Sequence, residues 1–173
     1  MKNVKRRMKR VEANDQAAMC AEGVQQFKKG DYIRAFHYFT KAAELGDVEA
    51  HYRLAGMYEH GEGVEKDRGK EIHHLEEAAI GGHPSARFNL GCHEYCDNGN
   101  IERAVKHFII AANLGDDLSI KALMNVYKEG FVSKESFAAA LRAQKAAVDE
   151  TKSPQREAAE TFLASHLRDN HNY

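Results

Sequence analysis

The chain predicts an all-α fold, an α-solenoid of about four antiparallel helical hairpins plus a C-terminal capping helix. The first of three observations is a repeat. Alanine pairs recur at Ala42-Ala43, Ala78-Ala79, Ala111-Ala112 and Ala146-Ala147, and glycine follows the first three at Gly46, Gly81-Gly82 and Gly115. The spacing between the pairs, 36, 33 and 35 residues, is that of stacked helical hairpins. The second is composition: only two prolines, Pro84 and Pro154, occur among abundant alanine, glutamate, lysine and leucine. The third is the lack of any long alternating Val/Ile/Thr run that would argue for a sheet. At 173 residues, the chain fits one short repeat array with a continuous core.

The spacing divides the chain into a basic segment at 1–13, a repeat array at 14–152, a capping helix at 153–169 and a tail at 170–173. The basic segment carries Lys2, Lys5, Arg6, Arg7, Lys9 and Arg10 against a formal net charge of -1 for the whole chain. It reads as a solvated helix end; a nuclear-import signal or a weak polyanion contact is the sharper alternative. No apolar run follows it, so it does not read as a secretory signal, and no stretch reaches the length of a membrane span. Three cysteines, Cys20, Cys92 and Cys96, make no disulfide framework and point to a reducing compartment, the cytoplasm or the nucleus.

The first hairpin runs from about Asp15 to Leu45, with Asn14 or Asp15 as N-cap and Gly30 ending its first helix. Its second helix sets Ala35, Phe39 and Ala42 on one face. The set Gly99, Ala104, Phe108, Ala111 and Gly115 repeats Gly30, Ala35, Phe39, Ala42 and Gly46 at the same spacings. The second unit offers Glu71, Leu75, Ala78 and Gly82, and the fourth Ala139, Ala143 and Ala146. In the first helix of each later unit, Ala50, Leu54 and Tyr58 match Ala86, Leu90 and approximately Tyr95, then Ser119, Leu123 and Tyr127. Asp31, Asp47 and Asp116 stand at helix starts, where a carboxylate takes free amides and favours the dipole. Ser153-Pro154 marks the start of the last helix, with Phe162, Leu163 and Leu167 on its inner face.

Gly46-x3-Ala50-x3-Leu54-x3-Tyr58-x2-Gly61-Glu62-Gly63-Val64-x2-Asp67-x2-Lys70, closing with Ala78-Ala79, resembles a Sel-1-like repeat, and the Gly-x-Gly-Val-x-x-Asp loop is its most specific part. Gly30-Asp31-Tyr32-x2-Ala35-x3-Phe39-x-Lys41-Ala42 is similar to a helix of the related tetratricopeptide repeats. The likeness covers roughly residues 15–150, but only the second unit has the full loop. It implies a right-handed superhelix whose helix-A residues line a concave face. It also implies an adaptor role, assembling other macromolecules in signalling, protein quality control or secretion.

Most motifs that resemble chemistry read better as scaffold. Gly61-Glu62-Gly63 is followed by Lys66 where a dinucleotide fingerprint needs glycine, and no strand pattern precedes it. Cys92-His93-Glu94-Tyr95-Cys96 puts two thiols one turn apart, short of the four ligands zinc takes, and neither His83 nor His107 is fixed beside them by sequence. Of His73-His74, one packs while the other faces water. His37 and His107 fall two and one residues before Phe39 and Phe108, and read as repeated scaffold. No nucleophile motif accompanies any histidine. The expectation is therefore no catalytic residue, no metal and no cofactor.

In tetratricopeptide register the groove-facing positions are Cys20, Val24 and Phe27, then Tyr52, Gly56 and Glu59, then Phe88, Cys92 and Tyr95, then Lys121, Asn125 and Lys128. The binding set is Tyr52, Glu59, Phe88, Cys92, Tyr95, Lys121, Asn125 and Lys128, an aromatic middle with a basic end. It suits a protein or peptide partner carrying a large apolar side chain near a carboxylate. The competing reading packs Phe27, Tyr52 and Phe88 between helices. A non-catalytic interaction scaffold is the expected function. The alternatives are a hydrolase-type enzyme on an α-solenoid, once proposed for relatives, and the polyanion binder. The charge balance argues against nucleic acid; neither partner identity nor oligomeric state is written in the sequence.

Overall fold

The computed structural model describes residues 2–150. The capping helix expected at 153–169 and the tail at 170–173 lie outside the described residues. Within them run α1 (Lys2–Glu12), α2 (Gln16–Lys28), α3 (Tyr32–Glu44), α4 (Val48–His60), α5 (Arg68–Ile80), α6 (Pro84–Cys96), α7 (Ile101–Asn113), α8 (Asp117–Lys128) and α9 (Lys134–Glu150). Helices α2/α3, α4/α5, α6/α7 and α8/α9 are the four hairpins. Each second helix of the first three also packs on the first helix of the next unit. The result is an α-solenoid.

Helix starts are set by short polar side chains. Asp15, Asp31, Asp47, Asp67 and Asp116 accept the N–H of Ala18, Arg34, Ala50, Lys70 and Ser119. Asn100 does the same for Arg103, and His83 through Nδ1 for Ala86. These are the amides a helix leaves unpaired at its first turn. Of the two candidate caps at the first unit, Asp15 acts and Asn14 turns into the left-handed region, φ 56°.

The Gly61–Asp67 loop has a mechanical explanation. Gly61 ends α4 in the left-handed conformation, φ 76°. Gly63 lies against the backbone of Tyr32, where a Cβ would sit 2.6 Å from its carbonyl carbon. Val64 then packs onto the core of the first unit. The loop thus ties unit two back to unit one.

Each hairpin closes on a small residue facing a large one. A Cβ at Gly23 would lie 2.7 Å from the Phe39 ring, and one at Gly91 2.6 Å from the Phe108 ring. In unit two the same places hold Ala55 and Leu75, both buried in one cluster. A bigger residue on one helix is matched by a smaller one across the seam, keeping the interior close-packed. Unit four breaks the rule: its places hold Met124 and Leu141, each 39% exposed. Helix α9 consequently leans on both α7 and α8, burying Phe137 and Ala140. The expected core set Ala139, Ala143 and Ala146 is corrected: Ala139 and Ala146 are exposed and Ala143 half-buried. Ser133, whose side chain accepts the Ser136 N–H at the start of α9, sets the register, so the places of Ala35, Phe39 and Ala42 fall at Phe137, Leu141 and Gln144, two residues earlier than expected.

Two other positions depart from the expected repeat. Leu54, Leu90 and Leu123 are buried on the first helix of units two to four, but unit one has Glu22 there, 5% exposed. Helix α1 satisfies it: Arg7 Nε donates to Glu22 Oε2 at 2.6 Å, Gln26 donates to the other oxygen, and Val11 packs on the first core. The basic segment is therefore more than a solvated helix end, although Lys5, Arg6 and Lys9 are exposed. In unit three the place of Tyr58 and Tyr127 belongs to buried Glu94, not Tyr95. Glu94 accepts from Arg103 at 2.9 Å and Asn98 at 3.2 Å, which leaves Tyr95 free to face elsewhere.

Candidate functional site

The first helices of the hairpins present two cavities. One, about 230 Å³, is bordered by Phe27 of α2, by Tyr52, Gly56 and Glu59 of α4, and by Asn89 of α6. Its walls are mixed: Glu62 and Glu71 stand with Arg53 and His60. Glu71 is buried and held by His93 Nε2 at 2.8 Å, while Arg68 joins Asp97 to the same cluster. Tyr52 stacks on His83 with ring centroids 4.2 Å apart. His83 in turn meets Glu49 at 3.1 Å, and this contact, opposed by burial and helped by Arg53, holds the Glu49 carboxyl below its usual range.

The second cavity, about 380 Å³, lies between α6 and α8. Phe108, Ala122 and Val126 line its apolar floor, and Cys92, Tyr95, Asn125 and Lys128 its sides. Tyr95 donates its hydroxyl proton to Glu129 Oε2 at 3.0 Å, which raises the phenol's pKa and ties α6 to the end of α8. Lys128 is exposed and, among the described residues, has no carboxylate partner. Burial pushes the Cys92 thiol up to about 11 and the Cys20 thiol up to about 12. Both are thiols rather than thiolates at neutral pH, the state of packed cysteine rather than of a nucleophile.

Of the eight residues expected to form the groove, Tyr52 and Glu59 border the first cavity; Cys92, Tyr95, Asn125 and Lys128 border the second. Phe88 and Lys121 border neither. Phe88 is half-buried with its ring 5.6 Å from that of Phe108, and Lys121 is exposed. Cys20 and Val24, from the first unit's register, pack in or against its core. Sequence reasoning missed Arg53 of α4, Glu62 of the loop after it and Asn89 of the next hairpin, which all border the first cavity. It also mistook the register of two histidines. His107 occupies the place of His74 and is half-buried, whereas His37 occupies that of His73 and is exposed.

Among the described residues no cluster of three or more His, Cys, Asp or Glu side chains has the geometry to hold a metal ion. None of their helices is long and apolar enough to cross a membrane.

Comparison with known proteins agrees with this architecture. The Sel1 repeat profile matches residues 15–47, 48–83 and 84–116, so its boundaries fall at the turns between hairpins. A Sel1 repeat protein from Oxalobacter formigenes superposes with a TM-score of 0.71 and 28% identity, over 86% of this chain and 63% of that one. A protective antigen of uropathogenic Escherichia coli displaying an SLR fold gives 0.69 and 27%, over 86% of this chain and 33% of the antigen. Among curated proteins, DAP3-binding cell death enhancer 1 of Mus musculus is 44% identical over 50 residues, 29% of this chain. Protein SHC1 of Saccharomyces cerevisiae is 40% identical over 62 residues, 36% of this chain. These matches span only 10% and 12% of those two relatives. Sel1 repeats form a scaffold fold that generally mediates protein–protein interaction. With three consecutive repeats over more than half its length, the chain belongs to the Sel1 repeat family.

Proposed function

We propose that the protein is a non-catalytic scaffold that binds a peptide or a partner domain along a concave face made by α2, α4, α6 and α8. The cavity between α6 and α8 is the observation that carries this reading. An apolar floor of Phe108, Ala122 and Val126 beside the Lys128 ammonium, which has no carboxylate partner among the described residues, suits a large apolar side chain followed by a carboxylate. The cavity near Tyr52 and Glu59 extends the surface toward the first unit. Protonated thiols at Cys20 and Cys92 favour packing over nucleophilic chemistry, and three free cysteines support a reducing compartment, the cytoplasm or the nucleus. The polyanion reading is weakened because Arg7 and Arg10 of α1 are already committed to Glu22 and Asp15.

Panning a random peptide library against the full chain tests this reading. Wild type is expected to enrich peptides with a large apolar residue near Asp, Glu or a free C-terminus. Lys128→Glu should lose that acidic preference, and Asn125→Arg, which blocks the cavity mouth, should lose enrichment altogether. Equal enrichment by all three proteins sinks the assignment of this surface.

A further inference from the structure

A third cavity shares no lining residue with the two above. About 300 Å³ in volume, it lies where α5, α6 and α7 meet, bordered by Ile72, Ile80, Arg87, Leu90, Glu94 and His107 among others. It has a counterpart one repeat earlier. Where α3, α4 and α5 meet, a cavity of about 270 Å³ is bordered by Phe36, Glu44, His51, Leu54, Tyr58 and His74, the same six places in the repeat. The stacking geometry therefore leaves a niche at each of these junctions, and the side chains decide what the niche does.

In the earlier niche the two facing polar groups satisfy each other: His51 Nδ1 and His74 Nδ1 are 3.0 Å apart. At the following junction their places are taken by Arg87 and His107. Arg87 uses one terminal nitrogen on the Ala79 carbonyl at 2.8 Å. Its Nε–H and His107 Nδ1 are both buried and both without a hydrogen-bond partner. One junction further on, the corresponding residues are Ile120 and Ala140, and no polar group is left over. A buried donor left unpaired forfeits its hydration without a compensating hydrogen bond. Arg87 Nε–H, and His107 Nδ1 in the tautomer that carries its proton there, call for an acceptor at this cavity wall.

The charges around the cavity restrict what that acceptor is. Arg103 is committed to Glu94 at 2.9 Å, and His93 to Glu71 at 2.8 Å. Arg87 is thus the cation of this lining that has no carboxylate partner among the described residues. Burial, reinforced by the Arg87 charge, holds the His107 imidazole below its usual pKa, so its ring offers a neutral N–H. Glu76 and Glu77 also border the cavity, and their charge disfavours a dianion. The Arg87 guanidinium with its free Nε–H, the His107 ring nitrogen and the apolar walls of Ile72, Ile80 and Leu90 fit a compact monoanion with two oxygens on one carbon, while Glu76 and Glu77 are exposed and screened by solvent.

We propose that the junction of units two and three is a binding site for a small carboxylate, received by Arg87 Nε–H and His107 Nδ1–H. The carboxylate can come from a free short-chain acid or from the chain end of a peptide. The two sources use the same donors.

The test is a titration of the full isotope-labelled chain with sodium acetate, following the Arg87 Nε–H and His107 ring resonances, with sodium chloride as the salt control. Both should shift saturably with a dissociation constant on the order of millimolar, the range open to one charge-assisted contact pair. Inorganic phosphate, largely a dianion at pH 7.5, should bind more weakly. An acetylated tripeptide with a free C-terminus, compared with its amide, separates the sources: saturation by the acid form alone admits peptide ends, and saturation by acetate alone restricts the site to free acids. Arg87→Met should abolish the shift, and His107→Phe, which leaves Arg87 in place, should weaken binding about tenfold, each checked for native helicity. A response no greater than that to chloride, as ordered water alone would give, overturns the proposal. So does acetate affinity unchanged in either folded variant.

Discussion

At the scale of single residues, the seams between helices are set by volume. Gly91 leaves no space for a methyl group beside Phe108, so Gly91→Ala forces the ring aside and should cost about 1–3 kcal/mol in chemical denaturation. Unit two shows the cure, since it pairs alanine with leucine at these places. Gly91→Ala combined with Phe108→Leu should recover most of the loss, and a double variant no better than Gly91→Ala alone would refute the pairing. His74 makes a different prediction. Burial first, then the neighbouring His51, His73 and Lys70, push it down to about 4 from 6.5; Tyr58 stacks on its ring, and Glu44 of α3 borders the same cavity. Between those values the unfolded chain binds a proton that the folded chain refuses, so stability is full above about 6.5 and falls as pH drops toward 4. Melting temperatures measured from pH 7.5 to 4.5 should decline less steeply for His74→Phe than for wild type.

Among the elements, α1 and α9 differ most from the repeat. Glu22 stands where the other units have leucine, and Arg7 of α1 satisfies it. Arg7→Ala should destabilise by about 3 kcal/mol, because it strands a buried carboxylate. Adding Glu22→Leu, the residue the repeat itself uses, should restore stability in thermal unfolding. Helix α9 lacks a closed seam with α8, as Met124 and Leu141 remain partly exposed. Its amides should therefore exchange at lower free energy than those of α4 to α7 in native-state hydrogen exchange. The regular hairpins were legible in the sequence because caps and small-residue faces are local and repeat: Asp15, Asp31, Asp47 and Asp116 all serve as caps. The role of α1 was hidden, since a run of six cations obscures Val11, and the value of Arg7 depends on a carboxylate fifteen residues away. Ala139, Ala143 and Ala146 misled because the alanine pair of unit four stands two residues later, counted from the cap at Ser133, than the pairs of the other units.

At the scale of the molecule, the hairpins lean on their neighbours in chain order, and a stack of this kind gives long surfaces rather than a single central pocket. Register alone placed Tyr52, Glu59, Cys92, Tyr95, Asn125 and Lys128 on cavity walls. It did not reveal that Phe88 packs against the core, because that depends on the Phe108 ring of the next helix, 5.6 Å away. The junction cavity at Arg87 and His107 draws on three helices, and no single stretch of sequence brings them together. The scaffold account rests on the use of the face made by α2, α4, α6 and α8. Its most direct test is the map of backbone amide shifts when a library-selected peptide is added to the labelled full chain. The account predicts the largest changes on α6 and α8 around Cys92, Tyr95, Asn125 and Lys128, extending to Tyr52 and Glu59. Changes confined to α3, α5 and α7, with those residues silent, would contradict it.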